Sequence, residues 1–163
     1  MNNLLKTVTS KAKIRFQHCD PFNHLNNANY INYFINHRED MILEHYNIDM
    51  FKMARETGQS WVSTSNQIAY LKPAFLMETV TIESQLFRES DSDLMVEMRM
   101  FNEDKTHLKS IIWCGFTHFD IMNQKRAYHS NEMNTLFKSI LNPIEAKTFE
   151  SRLLEIRSKK ATV

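Results

Sequence analysis

Residues 18–34 read HCDPFNHLNNANYINYF: a polar, turn-forming half runs without a break into an aromatic, apolar half. Asp20-Pro21 stops whatever precedes it, because proline fixes φ and has no N–H to donate. Beyond it, Tyr30, Ile31, Phe34, Ile35, Met41 and Ile42 recur at steps of three and four. That is the spacing of a helix with a wide buried face, so residues 26–45 are predicted helical. Asn23 or Asn26 can cap its start. So polar an entrance to so apolar a helix is either a cap alone or a reactive site held by the helix's free end.

Upstream, residues 12–17 put Ala12, Ile14 and Phe16 on one side of a strand and Lys13, Arg15 and Gln17 on the other. Downstream, a short helix through Met50 and Ala54 should stop at Gly58. Four β-type segments follow, over residues 61–71, 79–87, 94–101 and 108–119. The last three are joined by the short polar connections RESDSD and NEDKT, and so are expected to form an antiparallel meander. Met133, Leu136, Phe137, Ile140 and Leu141 mark a further helix, and Asn142-Pro143 is expected to cap and open another. Strand, long helix, four strands and a helical tail make an α+β fold whose sheet must curl around the apolar helix. The chain divides into a flexible N-terminus over residues 1–10, one domain over 11–128, and a C-terminal helical extension over 129–163 packed on that domain.

Composition narrows the function. Lys plus Arg number 20 and Asp plus Glu 19, with one dense basic tract, RSKK at 157–160, expected to be a solvated tail; no nucleic-acid partner is implied. Gly58 and Gly115 are the only glycines, which excludes Rossmann and P-loop phosphate cradles and a GxSxG nucleophile elbow. Cys19 and Cys114 are isolated, so no disulfide scaffold or thiolate zinc site is expected, and a reducing cytoplasm is the simplest setting. His18, Cys19, Asp20 and His24 are metal-ligand types without a paired second half, so no metal is expected. The first residues lack a leader's apolar run, and no segment has the length of a membrane span.

Two motifs carry a resemblance. D-x-x-x-H-x-N-N-x-x-Y stands at Asp20, His24, Asn26, Asn27 and Tyr30, and Y-x-x-P-A at Tyr70, Pro73 and Ala74. Together they resemble the hot-dog fold acyl-CoA thioesterases of the 4-hydroxybenzoyl-CoA thioesterase type, over about residues 11–140. Where members often carry Gly-Asp after the Pro-Ala, this chain has Met77 and Glu78. The resemblance implies a hot-dog fold, a curled antiparallel sheet around one central helix. It also implies hydrolysis of an acyl-CoA, or an acyl carrier protein thioester, without metal or redox cofactor, by a homodimer or homotetramer.

By that resemblance Asp20 is nucleophile or general base. Backbone amides near Asn27 and Ala28, free in the first helical turn, would receive the charge that collects on the carbonyl oxygen. His24 would orient the loop or contact the thioester, Asn26 and Asn27 fix the turn, and Tyr30 faces the acyl group. Trp61, Ser63 and Thr64 are candidate channel residues; Lys72, or Lys125 and Arg126, are candidates for the phosphates of coenzyme A. The rival expectations are a non-catalytic acyl-CoA-binding module and a hot-dog dehydratase or hydratase.

Overall fold

The computed structural model describes residues 4–160, so the first three residues of the expected flexible N-terminus and the last three of the tail lie outside it. Helix α1, Asn27–Tyr46, forms where the three-four spacing places it. The Asn26 side chain caps its start by accepting from the Ala28 amide at 2.9 Å, and Asn47 ends it in the left-handed conformation at φ 57. It buries Tyr30, Tyr33, Phe34, Met41 and Ile42. Phe34 is wholly enclosed, so its truncation to alanine would cost about 3–5 kcal/mol. Helix α2, Met50–Thr57, ends at Gly58, whose φ of 70 suits glycine.

Strands β1 (Thr7–Lys13), β2 (Gln59–Tyr70), β3 (Thr79–Glu89), β4 (Asp93–Asn102) and β5 (Leu108–Asp120) form one antiparallel sheet in the order β1-β3-β4-β5-β2. The two-residue β6, Lys125–Arg126, pairs with the end of β5. The expected meander is β3-β4-β5. Val80, Ile82, Leu86, Val96, Met98 and Met100 join Tyr30, Phe34 and Met41 in one core, the sheet curled around α1 as in the hot-dog fold. No helix among the described residues is long and apolar enough to cross a membrane.

Three local expectations fail for physical reasons. The first strand begins at Thr7, inside the segment read as flexible, because Val8 and Ala12 reach the core while the backbone pairs with β3. It ends at Lys13, and a 3-10 turn at Phe16–His18 swings Phe16 outward, to 77% exposure. Tyr33 fixes that turn: its hydroxyl accepts from the Arg15 amide at 3.1 Å and lies 2.9 Å from His18 Nδ1. Asn142-Pro143 opens no helix. The Asn142 amide donates to Leu86 O at 2.8 Å and its Nδ2 to Gln85 Oε1 at 3.1 Å, which ties the segment to the sheet.

After helix α3, Asn131–Ile140, the next helix α4 therefore waits until Phe149–Lys160, where Thr148 and Ser151 cap each other's amides. The RSKK tract continues this helix. Helix α4 covers the sheet's outer face, where Phe87, Ile111, Trp113 and Phe149 form a second apolar cluster. Beneath it, Arg152 grips the buried Glu97 through two bonds of 2.8 Å, and Trp113 Nε1 donates to the same carboxylate at 2.9 Å.

The sheet's edges differ. Strand β1 carries Lys11 and Lys13, charges that discourage pairing with another strand, whereas residues 62–67 of β2 are exposed and uncharged. A bulge between Ser63 and Ser65 lies over Gly115, where an added Cβ would lie 2.5 Å from Ser65 Oγ, so a larger residue there would require the Ser65 side chain to shift.

Candidate active site

The segment from Asp20 to His24 is a closed loop. Asp20 O accepts from the Asn23 amide at 3.0 Å, the Asp20 amide donates to His24 O at 2.8 Å, and Asp20 Oδ1 accepts from Phe22 N at 2.9 Å and His24 N at 3.1 Å. Asn23 takes the left-handed conformation the turn requires, at φ 60. Asp20 is thus a turn former through one carboxylate oxygen. Its other oxygen, Oδ2, accepts no hydrogen bond among the described residues.

The second motif is sewn to this loop. Leu25 N donates to Ala74 O at 2.8 Å, Leu76 N to Asn23 O at 2.9 Å, and Ala74 N to the Tyr30 hydroxyl at 3.3 Å. Tyr70 donates its hydroxyl to Asn27 O at 3.2 Å and stands edge-on to Tyr30 at 5.0 Å. Two stretches more than forty residues apart therefore build one opening of about 250 Å³, lined by Asp20, His24, Asn27, Tyr30, Tyr70 and Lys72 among others. It lies at the N-terminus of α1.

Within the opening the expected roles sort themselves. The Asn27 amide has no acceptor among the described residues, so it remains available at the positive end of the helix. The Ala28 amide does not, because the Asn26 cap already occupies it. Among the described residues the His24 ring makes no hydrogen bond, and it packs edge-on against Phe75 at 5.1 Å, a loop-positioning contact. Tyr30 is 2% exposed; burial pushes its phenol pKa up, and the hydroxyl is held by the Ala74 amide. Lys72 is exposed at the rim. Lys125 and Arg126 pair with the end of β5, across that strand from the start of β2 and roughly 35 Å along β2 from Tyr70, and Arg126 is paired to Asp93.

Trp61 and Ser63 line a different space, a cavity of about 310 Å³ between α1 and β2. Its other walls include Ile31, Ile35 and Ile42 of α1, Phe116 of β5 and Phe137 of α3. Trp61 is held there by donating Nε1–H to His129 Nε2 at 3.0 Å and by stacking on His118. Thr64 lines neither space; it sits at the β2 bulge over Gly115. Sequence reasoning gave no role to Tyr70, although it heads the second motif, or to Arg38, which also lines the cavity. The signal for Arg38 was present: it interrupts the stripe of Ile31, Ile35 and Ile42 at helical spacing.

A single helix enclosed by a curled sheet of this order defines a hot-dog protein. The chain belongs to the thioesterase-like superfamily, whose family model matches residues 14–137, and is by that membership a thioester hydrolase. Comparison with curated proteins finds no sequence match. Among solved structures, the chain is similar to YbaW, a probable thioesterase of Escherichia coli, at 23% identity and TM-score 0.69, covering 82% of this chain and 98% of that one. A hypothetical protein of Staphylococcus aureus, solved in complex with CoA, aligns at TM-score 0.76 and 15% identity over 88% and 90% of the two chains. The 1,4-dihydroxy-2-naphthoyl-CoA thioesterase Slr0204 from Synechocystis aligns at TM-score 0.73 and 9% identity over 81% and 96%.

Proposed function

We propose that the chain hydrolyses an acyl-CoA thioester to the free acid and coenzyme A, as the 4-hydroxybenzoyl-CoA type of hot-dog thioesterase does, with Asp20 as its reacting carboxylate. The observation that carries this is the pairing, in one opening, of an uncommitted Asp20 Oδ2 with the uncommitted Asn27 amide. Oδ1 is spent on orientation. The Asn27 N–H receives the developing oxyanion, while Oδ2 either attacks the carbonyl carbon or takes the proton of the attacking water. In the first case the CoA thiolate leaves an aspartyl anhydride that water then opens. Neither route calls for a metal or redox group, and Lys72 at the rim is the nearest candidate for the CoA phosphates.

The site is proposed to work in a homodimer, or a tetramer built from it. The uncharged β2 edge would pair with its twofold copy and cover backbone groups otherwise left open. Light scattering should give at least twice the chain mass. The cytoplasm, where Cys19 and Cys114 remain free thiols, is the proposed compartment.

The test is Asp20→Asn. Asparagine keeps a carbonyl oxygen for the Phe22 and His24 amides but replaces Oδ2 with an amide, so the loop survives without its reactive oxygen. Turnover of an acyl-CoA panel, followed by released thiol, should fall about 10²–10⁴-fold with the melting temperature retained. Undiminished turnover would remove Asp20 from the chemistry. Tight binding without turnover on every substrate would favour a non-catalytic module, and hydration of an enoyl-CoA a hydratase. Single-turnover hydrolysis in heavy-oxygen water separates the two Asp20 roles, since only the anhydride route labels its carboxylate.

A further inference from the structure

The cavity between α1 and β2 has mostly apolar walls, interrupted by Arg38, Glu39, Ser63 and Asn66. Arg38 is enclosed by protein, yet it keeps part of its surface open, and the space it lines is this cavity. Of the five N–H donors of its guanidinium, one is engaged, by Ser84 Oγ at 3.0 Å. Its Cζ lies 5.6 Å from the centre of the Phe116 ring, an attraction that supplies no counter-charge. Among the described residues it forms no ion pair with any carboxylate, Glu39 of the same cavity included.

The other polar neighbours do not substitute for a carboxylate. Burial lowers the Arg38 pKa to about 10, and the groups that partly offset this are the Cys114 thiol and the Tyr46 phenol. Cys114 is itself pushed up to about 12 by burial. Both groups are therefore neutral at pH 7, where Arg38 stays charged. A cation taken from water without a partner is costly, and the cost is recovered when a ligand brings the anion.

The opening and the cavity lie along the same two elements. Asn27, Ile31, Ile35 and Arg38 succeed one another on one face of α1, while Tyr70, Asn66 and Ser63 do so along β2, which Tyr70 fastens to Asn27 at the opening. From Asn27 to Arg38 the helix rises about 16 Å, and its side chains lean back toward the N-terminus. A thioester carbonyl at Asn27 would send its acyl chain between these two rails.

We infer that this cavity receives an acyl group whose far end carries a carboxylate, and that Arg38 is the residue that reads it. The inference rests on thioester hydrolysis at the Asp20 opening and specifies the acyl class for it. A carboxylate in a bidentate grip would use the donors that Ser84 leaves free, and Ile31, Ile35 and Trp61 would enclose the methylenes between.

The experiment compares hexanoyl-, octanoyl- and decanoyl-CoA with their ω-carboxy counterparts on the wild type, Arg38→Met and Arg38→Lys. At the best-fitting length the wild type should favour the ω-carboxy substrate in kcat/KM, and Arg38→Met should shift the ratio toward the plain acyl chain by about ten- to a hundredfold. Arg38→Lys should keep part of the preference. A purely structural arginine would lower both rates together and leave their ratio unmoved. The same ratio in wild type and Arg38→Met, or a wild-type preference for the plain chain at every length, overturns the inference even if hydrolysis is robust. If no substrate turns over, calorimetry with non-hydrolysable thioether analogues decides the matter separately. Arg38-dependent preference for the carboxylate sustains the cavity assignment although hydrolysis has failed, and its absence overturns it. Should Arg38→Met not fold, the wild type and Arg38→Lys decide: a carboxylate preference that weakens with lysine sustains the inference, and no preference in the wild type overturns it.

Discussion

Met77 holds a left-handed backbone at φ 63, a conformation that costs a side-chain-bearing residue about 1–2 kcal/mol and glycine almost nothing. It stands where the resemblance leads one to expect glycine, so this chain retains the turn and accepts the strain. The next residue explains how the turn persists. Glu78 Oε2 accepts from the Phe75 amide at 2.8 Å, and Oε1 pairs with Lys109 at 2.9 Å, closing the loop from the carboxylate side. Since Met77 is 57% exposed, Met77→Gly forfeits little packing. Offset by glycine's larger unfolded-state entropy, the relief should be about 0.5 kcal/mol, a rise of about one or two degrees in Tm by calorimetry. Met77→Ala, which keeps the strain, should show no rise.

At the scale of elements, α4 depends on one buried ion pair. Arg152→Ala would leave the Glu97 carboxylate, 0% exposed in its side chain, with Trp113 Nε1 and with Arg99, whose Nε stands 3.7 Å away, at a cost of up to about 3–5 kcal/mol in urea unfolding. Arg152→Met with Glu97→Met should cost less than the two single changes added together, because neither charge is then stranded. Turnover should survive, since α4 lies on the sheet face opposite α1. This helix also shows what sequence reading could reach. Strong periodicity placed α1 and the β3-β4-β5 meander almost to the residue, and two motifs placed the Asp20 opening. The tail was misread because Asn142-Pro143 carries a valid helix signal that the sheet outbids, binding Asn142 to Leu86 and Gln85. Arg38 was visible on its stripe, but spacing cannot reveal that the sheet leaves a void beside it. The Ala28 amide looked free because either Asn23 or Asn26 could have capped the start, and only geometry chose Asn26.

Over the whole molecule, three histidines tie stability to pH. His118 and His129, 1% and 6% exposed, pack on Trp61 at the wall of the cavity between α1 and β2, and His37 lies on α1 beside Ser10 and Tyr33. Burial lowers the pKa of each; for His118 the neighbouring His129 lowers it further. The tautomers follow from the partners. His129 Nδ1 and His118 Nδ1 face the carbonyls of Ser90 and Tyr128, which only accept, so both Nε2 atoms are bare. His129 uses its Nε2 to accept from Trp61, and a second proton would break that bond, whereas His118 Nε2 is buried with no partner among the described residues. In the unfolded chain these rings protonate near pH 6.5, while in the fold they resist to lower pH. Between those values the unfolded chain binds more protons, so stability is whole above about pH 7.5 and declines as pH falls through 6.5, by at most about 1.4 kcal/mol per pH unit for each group. Asp93 acts later. Held below the ordinary carboxylate range first by Thr117 and then by Arg126 and Ser92, it withdraws its contribution only as pH drops beneath 3.8. The urea midpoint should therefore decline from about pH 7.5 to 5.5, before any carboxylate of ordinary pKa titrates. His118→Leu removes the unsatisfied acceptor but also the Nδ1–H that faces Tyr128 O and the ring contact with Trp61, so stability at about pH 7.5 should fall by about 1 kcal/mol while the slope becomes shallower. An unchanged slope in that variant would remove His118 from the account and leave the pH dependence to His129 and His37.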